Sequence, residues 1–223
     1  MDSAIVEFLS QFVSPERQEL IRGVLKNRTR YITICLEDIY HPHNASAVLR
    51  TCDCMGILDV NIVERDNRFC PSPQIAKGTY KWLNINRYRQ EEGFTEGLIQ
   101  NLRKQNYRIV ATTPHEHDVA LEDFDILKGK VALFFGTEHS GISSTLMEEA
   151  DEFLKIPIYG FAESMNISVA AAIILHHLML QLRRHSSLSW RLNDEEYNAQ
   201  LVSWMKKSVK NSDRLIEHFL MKS

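Results

Sequence analysis

No apolar run in this sequence approaches the roughly 20 residues that a bilayer-spanning helix needs. The amino terminus, Met1-Asp2-Ser3-Ala4-Ile5, has neither the basic start nor the long apolar stretch of a secretory signal. Cysteine is scarce: Cys35, Cys52, Cys54 and Cys70 form no CxxC pair, and their irregular spacing gives no disulfide framework. The common ligand-binding signatures are missing too. No GxGxxG follows the first strand and no GxxxxGK[ST] occurs, so neither an NAD-type Rossmann site nor a P-loop is supported. HExxH and GxSxG are also absent. These absences leave a cytoplasmic protein without membrane contact, whose ligands are held by some other loop arrangement.

What is there is the makeup of an ordinary globular chain, 44% hydrophobic and 25% charged. Its 223 residues suffice for one core of roughly 150 residues with additions, or for two small domains. Charge is unevenly spread. Residues 1–30 hold five basic and four acidic side chains and residues 183–223 hold eight and five, so a net charge of −3 leaves −7 on the middle. Arg22, Lys26, Arg28 and Arg30 come with no acid among them, and Arg183 and Arg184 are adjacent. Basic ends on an acidic body place any polyanion contact at the termini; solvated helix faces are the alternative.

Hydrophobic spacing divides the chain into 1–30, 31–182 and 183–223. Ile5, Phe8, Leu9 and Phe12 repeat with helical period, and Ser14-Pro15-Glu16 opens a second helix with a cap, a first-turn proline and a carboxylate at the positive end. From Tyr31 the pattern alternates. Strands are expected at Tyr31–Leu36, Val60–Val63, Ile85–Tyr88, Arg108–Thr112, Val131–Phe135 and Phe153–Ile156. Helices are expected at Asn44–Met55, Phe94–Lys104, Ser143–Glu149 and Ile167–Leu182. Cys70–Gly78, with two prolines, reads as loop, and 114–129 as irregular. This alternation predicts an α/β domain, a mostly parallel sheet with helices on both faces. Short helical extensions flank it, and Tyr197, Leu201 and Trp204 are apolar contacts in the last.

Ligands of open α/β sheets gather at the carboxyl ends of strands. Three loops there carry small and polar residues: His41–Asn44, Gly136–Gly141 and Pro157–Asn166. Two glycines around Glu138 let backbone approach a ligand closely. Ser164 and Asn166, just before a helix, can cap it or bind a ligand group. Asn44 is likewise either a helix cap or a site residue. It lies six residues from Arg50, close to two helical turns, so the two can share a face. His41 and His43, like His115 and His117, lack a carboxylate or cysteine completing a zinc set, so no metal is expected.

Three stretches resemble, in order and spacing, the motifs of SPOUT-class RNA 2'-O-methyltransferases. They are His41-Pro-His-Asn-Ala-Ser-Ala-Val-Leu-Arg50-Thr, Phe135-Gly-Thr-Glu-His-Ser-Gly-Ile-Ser143 and Ile156-Pro-Ile-Tyr-Gly-Phe-Ala-Glu-Ser-Met-Asn166-Ile-Ser-Val-Ala170. The resemblance covers about residues 31–182 and is nearest the TrmH type, which methylates guanosine(18) in the tRNA D-loop. It implies an α/β fold whose carboxyl-terminal part is tied into a trefoil knot, and a homodimer with each active site assembled across the interface. It implies S-adenosyl-L-methionine as cofactor, contacted by Thr112, Gly136, Ile156 and Met165. It also implies Arg50, Asn44, Ser164, Asn166 and Glu138 as the catalytic set, with tRNA as partner. Ribosomal RNA, a tRNA wobble nucleotide or a non-catalytic RNA-binding role are the alternatives. The family makes the arginine a general base for the 2'-hydroxyl. A guanidinium titrates at about 12.5 or above, so gripping a phosphate and orienting the hydroxyl is physically easier.

Overall fold

A computed structural model of the chain describes residues 2–89, 94–114, 118–137, 141–185 and 188–222. Two compact units appear, Arg30–Trp190 and the paired ends Met1–Thr29 with Arg191–Ser223.

The larger unit is built on seven parallel strands: β1 (Ile32–Glu37), β2 (Asp59–Glu64), β3 (Asn84–Arg89), β4 (Arg108–Thr112), β5 (Val119–Ala120), β6 (Val131–Phe135) and β7 (Glu152–Lys155). Their order across the sheet is β3-β2-β1-β6-β4-β7-β5. β1 and β6 lie centrally, and every residue of both is buried. That is why they read as near-continuous apolar runs. Their residues still alternate between faces. Ile32, Ile34 and Leu36 join a core under helices α3 (Pro42–Met55) and α7 (Ile167–Arg184). Cys35 turns to a second core with Leu98, Ile99 and Leu102 of α5 (Phe94–Lys104) and Leu146 of α6 (Ser144–Glu149). Helices therefore cover both faces. Burial pushes the Cys35 thiol pKa up, so this cysteine is inert packing.

α3 begins with His41 as its N-cap and Pro42 in the first turn. It ends at Gly56, whose φ of 90° lets the Gly56 and Ile57 amides both reach the Cys52 carbonyl. Within the segment expected to be loop, Pro73–Ala76 forms one short helix, α4, and just beyond that segment Thr79–Trp82 forms a 3-10 turn; both pack on α3. One of the two prolines that suggested a loop, Pro73, instead sits in this helix's first turn. β5, two residues long, was not foreseen.

The smaller unit joins α1 (Asp2–Ser10) and α2 (Pro15–Leu25) to α8 (Asp194–Ser208) and α9 (Ser212–Lys222). Phe8 stacks on Phe219 with ring centroids 4.4 Å apart. Asn193 and Glu196 close a capping box at the start of α8.

Candidate functional site

Parallel strands point their carboxyl ends to one edge of the sheet. Because β6, β4 and β7 are adjacent there, Gly136, Thr112 and Ile156, which end or follow these strands, come to a common rim. β1 lies beside β6 and delivers the loop into α3 to the same rim.

Glu37, the last residue of β1, organises this rim although its side chain is almost wholly buried. Its carboxylate accepts hydrogen bonds from the Ser143 amide at 2.9 Å, the Ser143 hydroxyl at 2.7 Å and Arg65 Nη2 at 2.8 Å. Ser143 in turn caps α6 through its hydroxyl. Asp38 follows in a left-handed conformation and accepts from the amides of Arg65, Asp66 and Asn67. One Glu-Asp pair thus pins the loop after β2 and the loop after β6. Burial would raise the Glu64 carboxyl, but Arg87, Arg89 and the Phe69 amide together bring its pKa down to about 2.

In the loop after β6, Thr137 and Gly141 exchange backbone hydrogen bonds of 2.8 and 3.1 Å. A Cβ at Gly136 would overlap the Gly141 backbone, so only glycine permits this closure. Glu138, like His115 and His117, lies outside the described residues. Thr112 donates its hydroxyl to the Phe134 carbonyl at 2.9 Å, which ties β4 to β6. Ile156 is half-buried and, with Pro157, Ala172, Ile173, His176 and His177, lines a groove of about 540 Å³. Ser164 and Met165 are exposed in the segment before α7.

Residues 122 apart meet directly: Asn166 Nδ2 donates to Asn44 Oδ1 at 3.1 Å. Asn166 also caps α7, accepting from the Ser168 amide at 2.9 Å and its hydroxyl at 2.6 Å. Capping and site geometry thus coincide at Asn166. Asn44, by contrast, is not a cap, since His41 holds that position. Arg50 is exposed and has no ion pair among the described residues. Six residues turn a helix through about 600°, so Arg50 leaves α3 about 120° around from Asn44 rather than on one face with it.

The terminal cations fare unequally. Lys26 and Arg184 are exposed and Arg22 is half-buried. Arg30 pairs with Asp59 at 2.9 Å, and Arg183 donates to the Met55 carbonyl at 3.2 Å. Arg28 is buried, its guanidinium 5.2 Å from the Trp204 ring centroid, so it braces its own unit instead of facing solvent.

Residues 31–176 match the SpoU rRNA methylase family. This chain belongs to the SpoU methylase family. The tRNA (guanosine(18)-2'-O)-methyltransferase of Borreliella burgdorferi is 38% identical over 203 residues, covering 91% of this chain and 90% of that protein. A solved Aquifex aeolicus TrmH/SpoU tRNA-modifying enzyme superposes with a TM-score of 0.77 at 28% identity, covering 88% of this chain and 98% of its own. The SpoU methyltransferase AviRb of Streptomyces viridochromogenes, solved with AdoMet, shares the fold with a TM-score of 0.60 at 21% identity, covering 73% and 65%. As a SpoU methylase, the chain has an α/β fold with a seven-stranded parallel sheet.

Glu37 and Asp38 are site-forming residues that motif spacing did not single out. Two adjacent carboxylates at the end of an otherwise apolar strand were the available signal.

Proposed function

We propose that this SpoU methylase transfers the methyl group of S-adenosylmethionine to the ribose 2'-hydroxyl of guanosine(18) in the tRNA D-loop. The observation that carries this reading is the Asn44–Asn166 hydrogen bond. It unites two distant motifs at the strand-end rim, where an α/β sheet takes its ligand. The relative from Borreliella burgdorferi, which bears that activity in its name, aligns over nine tenths of both chains, and this supports the choice of nucleotide.

The rim fits the cofactor chemically. Thr112, Gly136, Ile156 and Met165 carry no cationic side chain that would repel a sulfonium, and the Gly136 turn leaves room only for backbone. When bound, the cofactor supplies a methyl group activated by positively charged sulfur. The remaining work is alignment and exclusion of water. Arg50 grips a phosphate beside the target ribose and orients its 2'-hydroxyl. Asn44 and Asn166 hold their two segments together, and Ser164 and Glu138 complete the polar set as the family resemblance implies. So held, the ribose 2'-oxygen would face the activated methyl, and its proton would pass to a substrate phosphate or to water.

We further infer a trefoil knot formed by the segment between β7 and α7, as the family resemblance implies, and a homodimer. Support for the dimer is the fully exposed pair Tyr159 and Phe161, together with exposed Val169, Ile173 and Leu180 along α7. In this reading residues 31–182 are the catalytic body, in the cytoplasm, while 1–30 and 183–223 are extensions. Arg22, Lys26, Arg28 and Arg30 of the first extension and Arg183 and Arg184 of the second are its RNA-facing candidates, of which Lys26, Arg183 and Arg184 are exposed.

The test is to incubate the protein with labelled S-adenosylmethionine and unmodified tRNA, then map the methylated nucleotide. A 2'-O-methyl group at guanosine(18) is expected. Methylation of ribosomal RNA or of the wobble nucleotide instead would replace the substrate, and no transfer to any RNA would end the reading.

A further inference from the structure

The acidic average of the middle of the chain hides a strongly basic stretch. Between residues 65 and 89 stand Arg65, Arg68, Lys77, Lys81, Arg87 and Arg89, with Asp66 as the sole acid. Three of these cations are used internally. Arg65 pairs with Glu37 at 2.8 Å, while Arg87 and Arg89 pair with Glu64 at 2.5 and 2.7 Å. Arg68, Lys77 and Lys81 are exposed, and among the described residues none of them has an acidic partner.

The backbone that carries these three is firmly held. Asp38 binds the amides of residues 65–67, Glu64 Oε1 accepts the Phe69 amide at 2.7 Å, and Arg87 donates to the Phe69 carbonyl at 2.8 Å. The Ser72 amide donates to Ser46 Oγ on α3 at 2.8 Å, and α4 and the following 3-10 turn pack on α3. Ser46 and Arg50 are four residues apart and therefore neighbours on one helix face. The segment bearing Lys77 and Lys81 accordingly runs beside the face from which Arg50 projects. Lys77 also holds a left-handed conformation, φ 44° and ψ 34°, which unbranched L-residues other than Asn and Asp seldom adopt. Among the described residues, the other non-glycine positive-φ residues are Asp38, Asn106 and Asn211, types that tolerate it.

We propose that Arg68, Lys77 and Lys81 form a phosphate-binding ledge that holds the substrate RNA backbone next to Arg50, within the methyltransferase body rather than at its basic ends. This rests on reading the chain as an RNA methyltransferase. The ledge gives the target ribose a rigid approach: Arg50 takes one phosphate, and the three further cations track the same strand on either side. Buried carboxylates fix the loop of Arg68, and packing on α3 fixes the segment of Lys77 and Lys81, so the RNA meets an ordered surface.

The test is binding of unmodified tRNA across a salt series, comparing wild type with the triple variant Arg68→Gln/Lys77→Gln/Lys81→Gln. Each lost phosphate contact flattens the slope of log K against log salt by roughly 0.7–0.9. The triple variant should therefore lose about 2.1 to 2.7 from its slope, which, for lines converging near 1 M salt, weakens binding roughly 50- to 170-fold at 0.15 M. S-adenosylmethionine binding, measured by calorimetry without RNA, should stay at the wild-type value and shows that the variant is folded. If the triple variant does not fold, the three single variants should each flatten the slope by about one contact. An unchanged slope in a folded variant of a wild type that methylates tRNA overturns the ledge alone. Flattening by Arg22→Gln/Lys26→Gln/Arg184→Gln with no effect of the triple variant overturns it in favour of the termini. Wild-type protein that neither binds nor methylates RNA overturns the ledge and the functional reading together.

Discussion

Replacing Glu37 by glutamine keeps the shape of a buried side chain and removes its charge. Three donors converge on the carboxylate: Arg65 Nη2, the Ser143 amide and the Ser143 hydroxyl. A glutamine amide offers one acceptor oxygen and two N–H donors, so whichever way it turns, its nitrogen opposes at least one of them. With the nitrogen toward Arg65, the guanidinium, whose side chain is 36% exposed, swings into water and its bond is lost. With the nitrogen the other way, the Ser143 amide loses its partner. Either orientation forfeits a charge-assisted hydrogen bond, about 1.5–3 kcal/mol, and weakens the others, so about 2–3 kcal/mol of stability should go. Urea denaturation at constant slope measures this. Ser143→Ala should be less costly on the Glu37→Gln background than alone, because the two changes break the same bonds. A loss below about 0.5 kcal/mol, or strict additivity with Ser143→Ala, would refute the role given to this carboxylate.

Arg50→Lys should cut methyl transfer about 100-fold or more while S-adenosylmethionine affinity stays within about twofold, because an ammonium cannot reproduce the planar two-point grip; single-turnover assays and calorimetry measure the two. Asn166→Ala should remove about 1 kcal/mol of capping at α7 and reduce turnover. Its effect on turnover should be non-additive with Asn44→Ala, as kinetics of the single and double variants will show. Gly136→Ala should lower the melting temperature markedly, since the added Cβ meets backbone that cannot swing aside; a wild-type melting curve would remove the argument. The Glu64 pKa is depressed in the fold to about 2. Its contribution is therefore fully present above the unfolded carboxylate range and is lost as pH falls from about 5 toward 2. Denaturation along that series should lose at most about 3 kcal/mol to this group, and Glu64→Gln should abolish that part of the pH dependence.

The sheet was legible because its central strands are buried on both faces and leave unbroken apolar runs, as in Val131–Phe135. The helices over it carry their apolar residues on one stripe, as Ala45, Val48, Leu49 and Cys52 do on α3. Strand order was another matter. Nothing local to β6 says that it lies between β1 and β4, because that depends on pairing across nearly a hundred residues. Asn44 and Asn166 could be nominated by motif, but their mutual bond could not, and Ser143, which binds Glu37, lies 106 residues from it. Arg28 misled for a related reason. Charge counting treats every cation as exposed, whereas this one stacks on Trp204. The same averaging over 31–182 concealed the basic stretch from Arg65 to Arg89.

The insertion of β6 between β1 and β4 also bears on how the chain is made. A ribosome that has released residues up to about 130 has supplied β1, β2, β3 and β4, yet β4 has no strand to pair with and β1 still shows an open edge. β1 is buried on both faces in the finished fold, and such an edge, left open, is a template for association between nascent chains. Closure waits for Val131–Phe135, whose five residues join the two halves at once. The Asn44–Asn166 bond waits longer still, until α7 emerges. Synthesis therefore passes through a stage in which three of the seven strands are paired and none of the enzyme exists, and an open central edge makes that stage the one most exposed to association.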